Sequence, residues 1–147
     1  MSNNKVEDFL TTKEEQEIVN AILKAERNTS GEIRVHIEAT SKIEPYKRAQ
    51  EVFHYLKMGN TKEDNGVLLY VAVHDKKFVI YGDKGIDKVV TNGFWDATKN
   101  HIQACFTKGD FMQGIIDGIL KVGKELESHF PWRHNDTNEL SNEVSKG

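Results

Sequence analysis

The sequence predicts an α/β domain built on a mixed sheet, and three stretches carry that prediction. Val67 to Val73 is an uninterrupted, valine-rich apolar run of strand length, suited to a central strand covered on both faces. Glu32 to Glu38 alternates, with Ile33, Val35 and Ile37 on one side and Glu32, Arg34, His36 and Glu38 on the other, the pattern of a half-buried strand. Phe78 to Tyr81 follows Val73 across the short turn His74-Asp75-Lys76-Lys77, so these two strands form an antiparallel hairpin. A helix separates the first strand from the second, which makes that pair parallel through a right-handed crossover.

The helices follow from period and punctuation. Thr12-Lys13-Glu14-Glu15 has capping-box spacing, in which hydroxyl and carboxylate each satisfy an orphan amide. Ile18, Val19, Ile22 and Leu23 then mark the apolar face of the first helix, which ends at Asn28-Thr29-Ser30-Gly31. Pro45 suits the first position of a second helix, because its missing amide proton would be unpaired there anyway. Ala49, Val52, Phe53 and Leu56 form the inner face of that helix and Gly59 is its expected terminator. Ile86 to Val90 suggests one helical turn. Phe94 to Phe106 reads as a helix with Cys105 inward as a small apolar residue. Asp110 with Gln113 caps a last helix through His129, and its Gly114 and Gly118 imply close packing on the sheet. These elements make one domain over 9–131. The polar stretch 132–147 lacks periodicity and reads as a disordered tail.

Composition excludes several classes. Twenty basic and twenty-three acidic residues give a net charge of −3, so there is no general pull toward nucleic acid or anionic lipid. The single Cys105 rules out an intrachain disulfide. No stretch approaches the roughly 20 apolar residues of a membrane span, and Met1 to Asp8 has no apolar signal-peptide core. A cytoplasmic protein without membrane insertion is expected.

Familiar catalytic motifs fail on geometry. Gly118 to Lys124 has phosphate-loop spacing, but Glu125 stands where Ser or Thr is required, and the stretch lies inside a helix. There is no Gly-x-Ser-x-Gly elbow, zinc-helix motif or cysteine pair. His36 on the polar side of a strand, and His74, His101, His129 and His134, read as surface residues. What remains is oxygen-donor chemistry. Asp64 leads into the central strand, Asp83 and Asp87 follow the hairpin, and Ser30-Gly31-Glu32 enters the parallel neighbour. Antiparallel pairing folds these segments to one edge of the sheet, with Glu32 and Asn92 as further donors. Hard cations such as Ca²⁺ take six to eight oxygens from carboxylates, carbonyls and amides. Acidic sheet-end loops are also common with no ion at all.

The ordered set of Ser30-Gly31-Glu32, Asn65 to Ala72, Asp75, Gly82-Asp83-Lys84-Gly85-Ile86-Asp87 and Phe106 to Ile115 resembles the TPM-domain family over roughly residues 9 to 130. That family includes thylakoid-lumen proteins of photosystem II repair, an acetylcholine-receptor accessory protein and bacterial relatives. The resemblance implies a three-layer α/β/α sandwich with a mixed, Rossmann-like sheet. It also implies a divalent cation, Ca²⁺ or alternatively Mg²⁺, held by Asp64, Asp83 and Asp87. Where relatives often carry an acidic residue, Asn92 offers only a carbonyl oxygen. Acid phosphatase activity attributed to plant members extends the expectation to metal-assisted phosphomonoester hydrolysis. The alternative is a non-catalytic module, ordered by its cation, that docks a protein partner.

Overall fold

The structure is a computed structural model and describes residues 10–91, 93–132 and 144–146. Asn92, His134 and most of the expected tail lie outside the described residues. In chain order the elements are α1 (Thr12–Glu26), β1 (Glu32–Glu38), α2 (Pro45–Tyr55), β2 (Gly66–Ala72), β3 (Lys77–Gly82), α3 (Lys84–Asp87), α4 (Asp96–Thr107), α5 (Phe111–His129) and β4 (Ser145–Lys146). The sheet runs β3-β2-β1-β4. β1 pairs parallel to β2 with Val35 opposite Leu69, and β2 pairs antiparallel to β3 with Leu69 opposite Ile80.

β2 is buried along its whole length, as its apolar run requires. Val67, Leu69 and Val71, with Ile33, Val35 and Ile37, meet Ile18 and Ile22 of α1, Ile102 and Phe106 of α4, and Ile115, Ile119 and Val122 of α5. On the opposite face Leu68, Tyr70 and Ala72 meet Ala49, Val52 and Phe53 of α2, closed by Met58. The result is a three-layer sandwich. Each fully buried aliphatic side chain contributes about 1.5–3 kcal/mol relative to exposure.

Several local expectations shift. The capping box lies one residue earlier than Thr12–Glu15: Thr11 Oγ1 accepts from the Glu14 amide (3.1 Å) and Glu14 Oε1 accepts from the Thr11 amide (2.9 Å). That frame places Leu10, buried in the core, directly before the cap. α2 ends before Gly59, and Lys57 takes the left-handed conformation (φ 57°). Asp110 makes no side-chain cap, and Gln113 reaches forward to Asp117 Oδ1 (2.6 Å) rather than back to the cap. Gly114 and Gly118 do allow close packing, but chiefly on α4. A Cβ at Gly114 would lie 2.9 Å from the Phe106 ring, and one at Gly118 would lie 2.6 Å from Ile102 Cδ1.

The largest difference concerns the polar face of β1. Glu32, His36 and Glu38 are all buried. α2 covers that face of the sheet, and at the outer edge Ser145 and Lys146 pair parallel with His36 and Ile37. These last residues of the expected tail thus form β4. Among the described residues no helix is long and apolar enough to cross a membrane.

Candidate functional site at the strand-entry edge

The predicted edge forms where β1 and β2 begin and β3 ends. The Glu32 amide donates to Asn65 O (3.4 Å) and the Asp83 amide to Gly66 O (2.9 Å), which draws the three segments together. Side chains then knit the loops. Asn65 Nδ2 donates to Ser30 Oγ (3.2 Å), and Ser30 Oγ donates to Glu63 Oε2 (2.6 Å). Asp64 holds a left-handed backbone (φ 51°), and its carbonyl accepts from the Gly85 amide (2.8 Å). Only glycine fits at position 85, since a Cβ there would lie 2.1 Å from Glu63 O and 2.5 Å from Asp64 O.

Asp83 opens α3. Its Oδ1 accepts from the Lys84 amide (2.8 Å), while its Oδ2 is buried with no hydrogen-bond partner. A buried carboxylate oxygen without a donor is costly, and oxygen of this kind is a ligand type that hard cations take. Of the acidic residues expected at this edge, Asp83 is the one whose unpartnered oxygen has the chemistry to take up a hard cation. Asp87, exposed, closes the same helical turn. Both carboxylates act on the Tyr81 hydroxyl, whose pKa is raised first by burial and the nearby Tyr46, then by Asp87 and Asp83. The Asp64 carboxylate has Lys84 Nζ at 3.9 Å. Asp64, Asp83 and Asp87 share the edge, but their oxygens do not form a group with all members within 4.8 Å of one another.

Glu32 is buried beside a second carboxylate. Glu26 Oε2 accepts from the Ile33 amide (2.7 Å). Burial pushes the Glu26 carboxyl up to about 8; the Ile33 hydrogen bond opposes the rise and the charge of Glu32 adds to it.

At the other end of the sheet, sequence reasoning missed a built polar cluster. Glu38 receives Arg48 Nε on Oε2 (2.9 Å) and Arg48 Nη2 on Oε1 (2.9 Å), and it also contacts His36 Nε2 (3.1 Å) and the Tyr70 hydroxyl. His36 Nδ1 reaches Ser145 Oγ (2.9 Å), and its ring stacks on Tyr70. Burial alone would raise the Glu38 carboxyl, but the hydrogen bonds from His36, Arg48 and Tyr70 outweigh it and bring it down to about 2. A cavity of about 500 Å³ opens beside this cluster, lined by Glu38, Thr40, Lys42, Arg48 and Glu51 among others. The signal was a strand whose polar positions a helix would cover; the partner, Arg48, lies ten residues away on that helix.

A second missed group lies between α4 and α5. His101 Nε2 contacts Asp117 Oδ2 (2.7 Å) and Cys105 Sγ (3.8 Å). His101 and Cys105 are four residues apart, which placed them on one helical face in the sequence. His101 is therefore engaged, and Cys105 is only partly buried.

A family model described as the TPM domain matches residues 4–125. No curated protein matches the chain. Among solved structures, the chain is similar to the BA42 protein of the psychrophilic bacterium Bizionia argentinensis, with 60% identity and a TM-score of 0.91, covering 97% of this chain and 99% of that one. It also resembles in fold the N-terminal domain of the cg2496 protein of Corynebacterium glutamicum (14% identity, TM-score 0.65, covering 90% of this chain and 86% of that one). An N-terminal domain from P. gingivalis shares the fold as well (19% identity, TM-score 0.68, covering 86% and 83%).

Proposed function

The chain belongs to the TPM-domain family, and we propose that within this fold it works as a divalent-cation module, with Ca²⁺ the preferred ion and Mg²⁺ the alternative, seated at the strand-entry edge. The observation that carries the reading is the buried, partnerless Oδ2 of Asp83. Asp83, Asp64 and Asp87 are the residues that would hold the ion, with Glu32 nearby as a buried carboxylate. When bound, the cation supplies Lewis-acid polarisation of a phosphoryl oxygen, which is the chemistry of phosphomonoester hydrolysis.

The protein's own residues do the positioning. The Lys84 amide fixes one oxygen of Asp83 and so orients the other. The Gly85–Asp64 hydrogen bond ties α3 to the loop before β2, so the segments that carry Asp64, Asp83 and Asp87 are held side by side. Lys84, 72% exposed and only 3.9 Å from Asp64, is a movable counter-charge that an ion would displace. Lys84 and the exposed Lys88 are then free to meet the negative charge of a phosphate. A partner-docking role is the second reading. It is favoured by Val89, a large apolar residue 47% exposed directly after α3, where ordering of the turn by an ion would also order an apolar contact.

Titration with Ca²⁺ and Mg²⁺ while backbone amide shifts are followed tests the module. Residues 30–32, 63–66 and 82–88 should move saturably, and Asp83→Asn should abolish the response. Unmoved amides at millimolar cation would end the proposal. A phosphomonoester assay with and without metal separates the two readings: turnover lost in D83N supports hydrolysis, and turnover unaffected by D83N assigns it elsewhere.

A further inference from the structure

We propose that α4 and α5 carry a second metal site, distinct in chemistry from the acidic edge: a three-ligand transition-metal centre, of the Zn²⁺ class, formed by His101, Cys105 and Asp117. Among the described residues this is the group of His, Cys, Asp and Glu side chains whose ligand atoms all lie within 4.8 Å of one another. Imidazole, thiolate and carboxylate together select a borderline ion such as Zn²⁺ rather than Ca²⁺ or Mg²⁺, which take oxygen.

The distances fit such an ion. Bonds of about 2.3 Å to sulfur and about 2.0–2.2 Å to nitrogen and oxygen place tetrahedral ligands about 3.3–3.7 Å apart. Nε2 of His101 lies 3.8 Å from Sγ of Cys105, just beyond that range. Its 2.7 Å contact with Asp117 Oδ2 is a hydrogen bond and needs to open by roughly half an ångström to admit the ion.

The same geometry argues against a Cys-His-Asp catalytic triad. A triad uses the two ring nitrogens separately, one toward the nucleophile and one toward the orienting carboxylate. Here sulfur and carboxylate oxygen both approach Nε2. One nitrogen cannot donate its proton to Asp117 and also accept the thiol proton. Three donor atoms within 4.8 Å of one another are instead placed as corners of one coordination polyhedron.

The surroundings support the site. Gln113 Nε2 donates to Asp117 Oδ1 (2.6 Å), which leaves Oδ2 as the oxygen facing His101; outer partners of this kind orient metal-binding carboxylates. The helices meet tightly here, since a Cβ on Gly114 would lie 3.1 Å from Cys105 Cβ. The His101 side chain is 41% exposed, so an ion has a path in and one coordination position stays open to water or a ligand. Binding deprotonates Cys105, with the proton leaving to solvent, and moves the ring proton of His101 to Nδ1, so affinity rises with pH.

The test uses the full chain and Co²⁺ as an optical probe for Zn²⁺. One equivalent should produce thiolate-to-cobalt charge-transfer absorption, which Zn²⁺ then removes by displacement. Cys105→Ser should abolish the band, and His101→Gln and Asp117→Asn should each weaken Co²⁺ binding at least tenfold. Zn²⁺ should also protect Cys105 from alkylation in the native chain and not in D117N. D83N should leave the band unchanged, which separates this centre from the acidic edge. A Co²⁺ complex without the thiolate band, or affinity unaltered in both H101Q and D117N, would overturn the site.

Discussion

The two ends of the sheet both gather buried carboxylates, but they treat them in opposite ways. At the strand-exit end, Glu38 is surrounded by donors from Arg48, His36 and Tyr70, which hold its charge in place. At the strand-entry end, Asp83 has one oxygen bonded and one buried without a partner. Burying a carboxylate is tolerable when its lone pairs are satisfied and costly when they are not. The comparison therefore teaches which acidic cluster the fold itself completes and which one it leaves with an unsatisfied oxygen.

The same chemical change at the two ends should have opposite signs. Glu38→Gln leaves the Arg48 guanidinium beside a neutral partner and should destabilise the protein by about 3–5 kcal/mol at neutral pH, read by urea unfolding. The acid limb should show this too. Because the Glu38 carboxyl falls from its ordinary 4.5 to about 2 in the folded protein, its contribution is complete above about 4.5 and disappears as pH drops toward 2. The Gln variant should lose that part of the acid transition.

Gly85→Ala attacks the entry edge through its backbone. The clash with Glu63 O and Asp64 O forces α3 away from the loop and should cost about 3 kcal/mol, with amide shifts concentrated at 63–66 and 82–88. An unchanged melting temperature would mean that the tie is not structural.

Glu26→Gln should act the other way. The Glu26 carboxyl is raised from 4.5 to about 8, so the folded state holds a proton that the unfolded chain releases, and stability declines as pH rises across that window. Glutamine keeps an acceptor for the Ile33 amide. The variant should be more stable by up to about 4 kcal/mol at pH 8 and little changed at pH 4, as measured by thermal unfolding at both values.

The smallest expected effect sharpens the comparison most. Without cation, Asp83→Asn should be neutral or stabilising by less than about 1 kcal/mol, because it removes an uncompensated charge and keeps the oxygen that caps α3. With saturating Ca²⁺ the order should reverse, since only the native chain gains ligand-linked stability. A D83N variant that is clearly less stable without cation would place Asp83 in the same structural class as Glu38.

The sequence made legible what depends on short-range pattern. The valine-rich run gave β2, the charged turn gave the hairpin, and Pro45 gave the start of α2. The entry edge was legible because strand order alone brings Asp64 and Asp83 together. The satisfaction of each oxygen was not, since it depends on where the Lys84 amide points. The burial of His36 and Glu38 was misread because alternation reports two different faces of a strand, and whether the polar one meets water depends on α2 and β4. The pair Ser145–Lys146 has too few residues for any period. His101 and Cys105 carried a readable four-residue spacing, but Asp117 joins them only through the α4–α5 register, which Gly114 and Gly118 set by close approach.

Glu26 has one more consequence. Among the described residues β4 pairs with β1 opposite His36 and Ile37, and the entry half of β1 is the margin at which a further strand would pair by its backbone. The Ile33 amide is already taken there by an acidic side chain. An incoming strand must displace that bond and approach a group that gains negative charge as the medium turns alkaline. Glu26 thus occupies this margin through its hydrogen bond to Ile33, and it adds negative charge there only as pH rises through about 8.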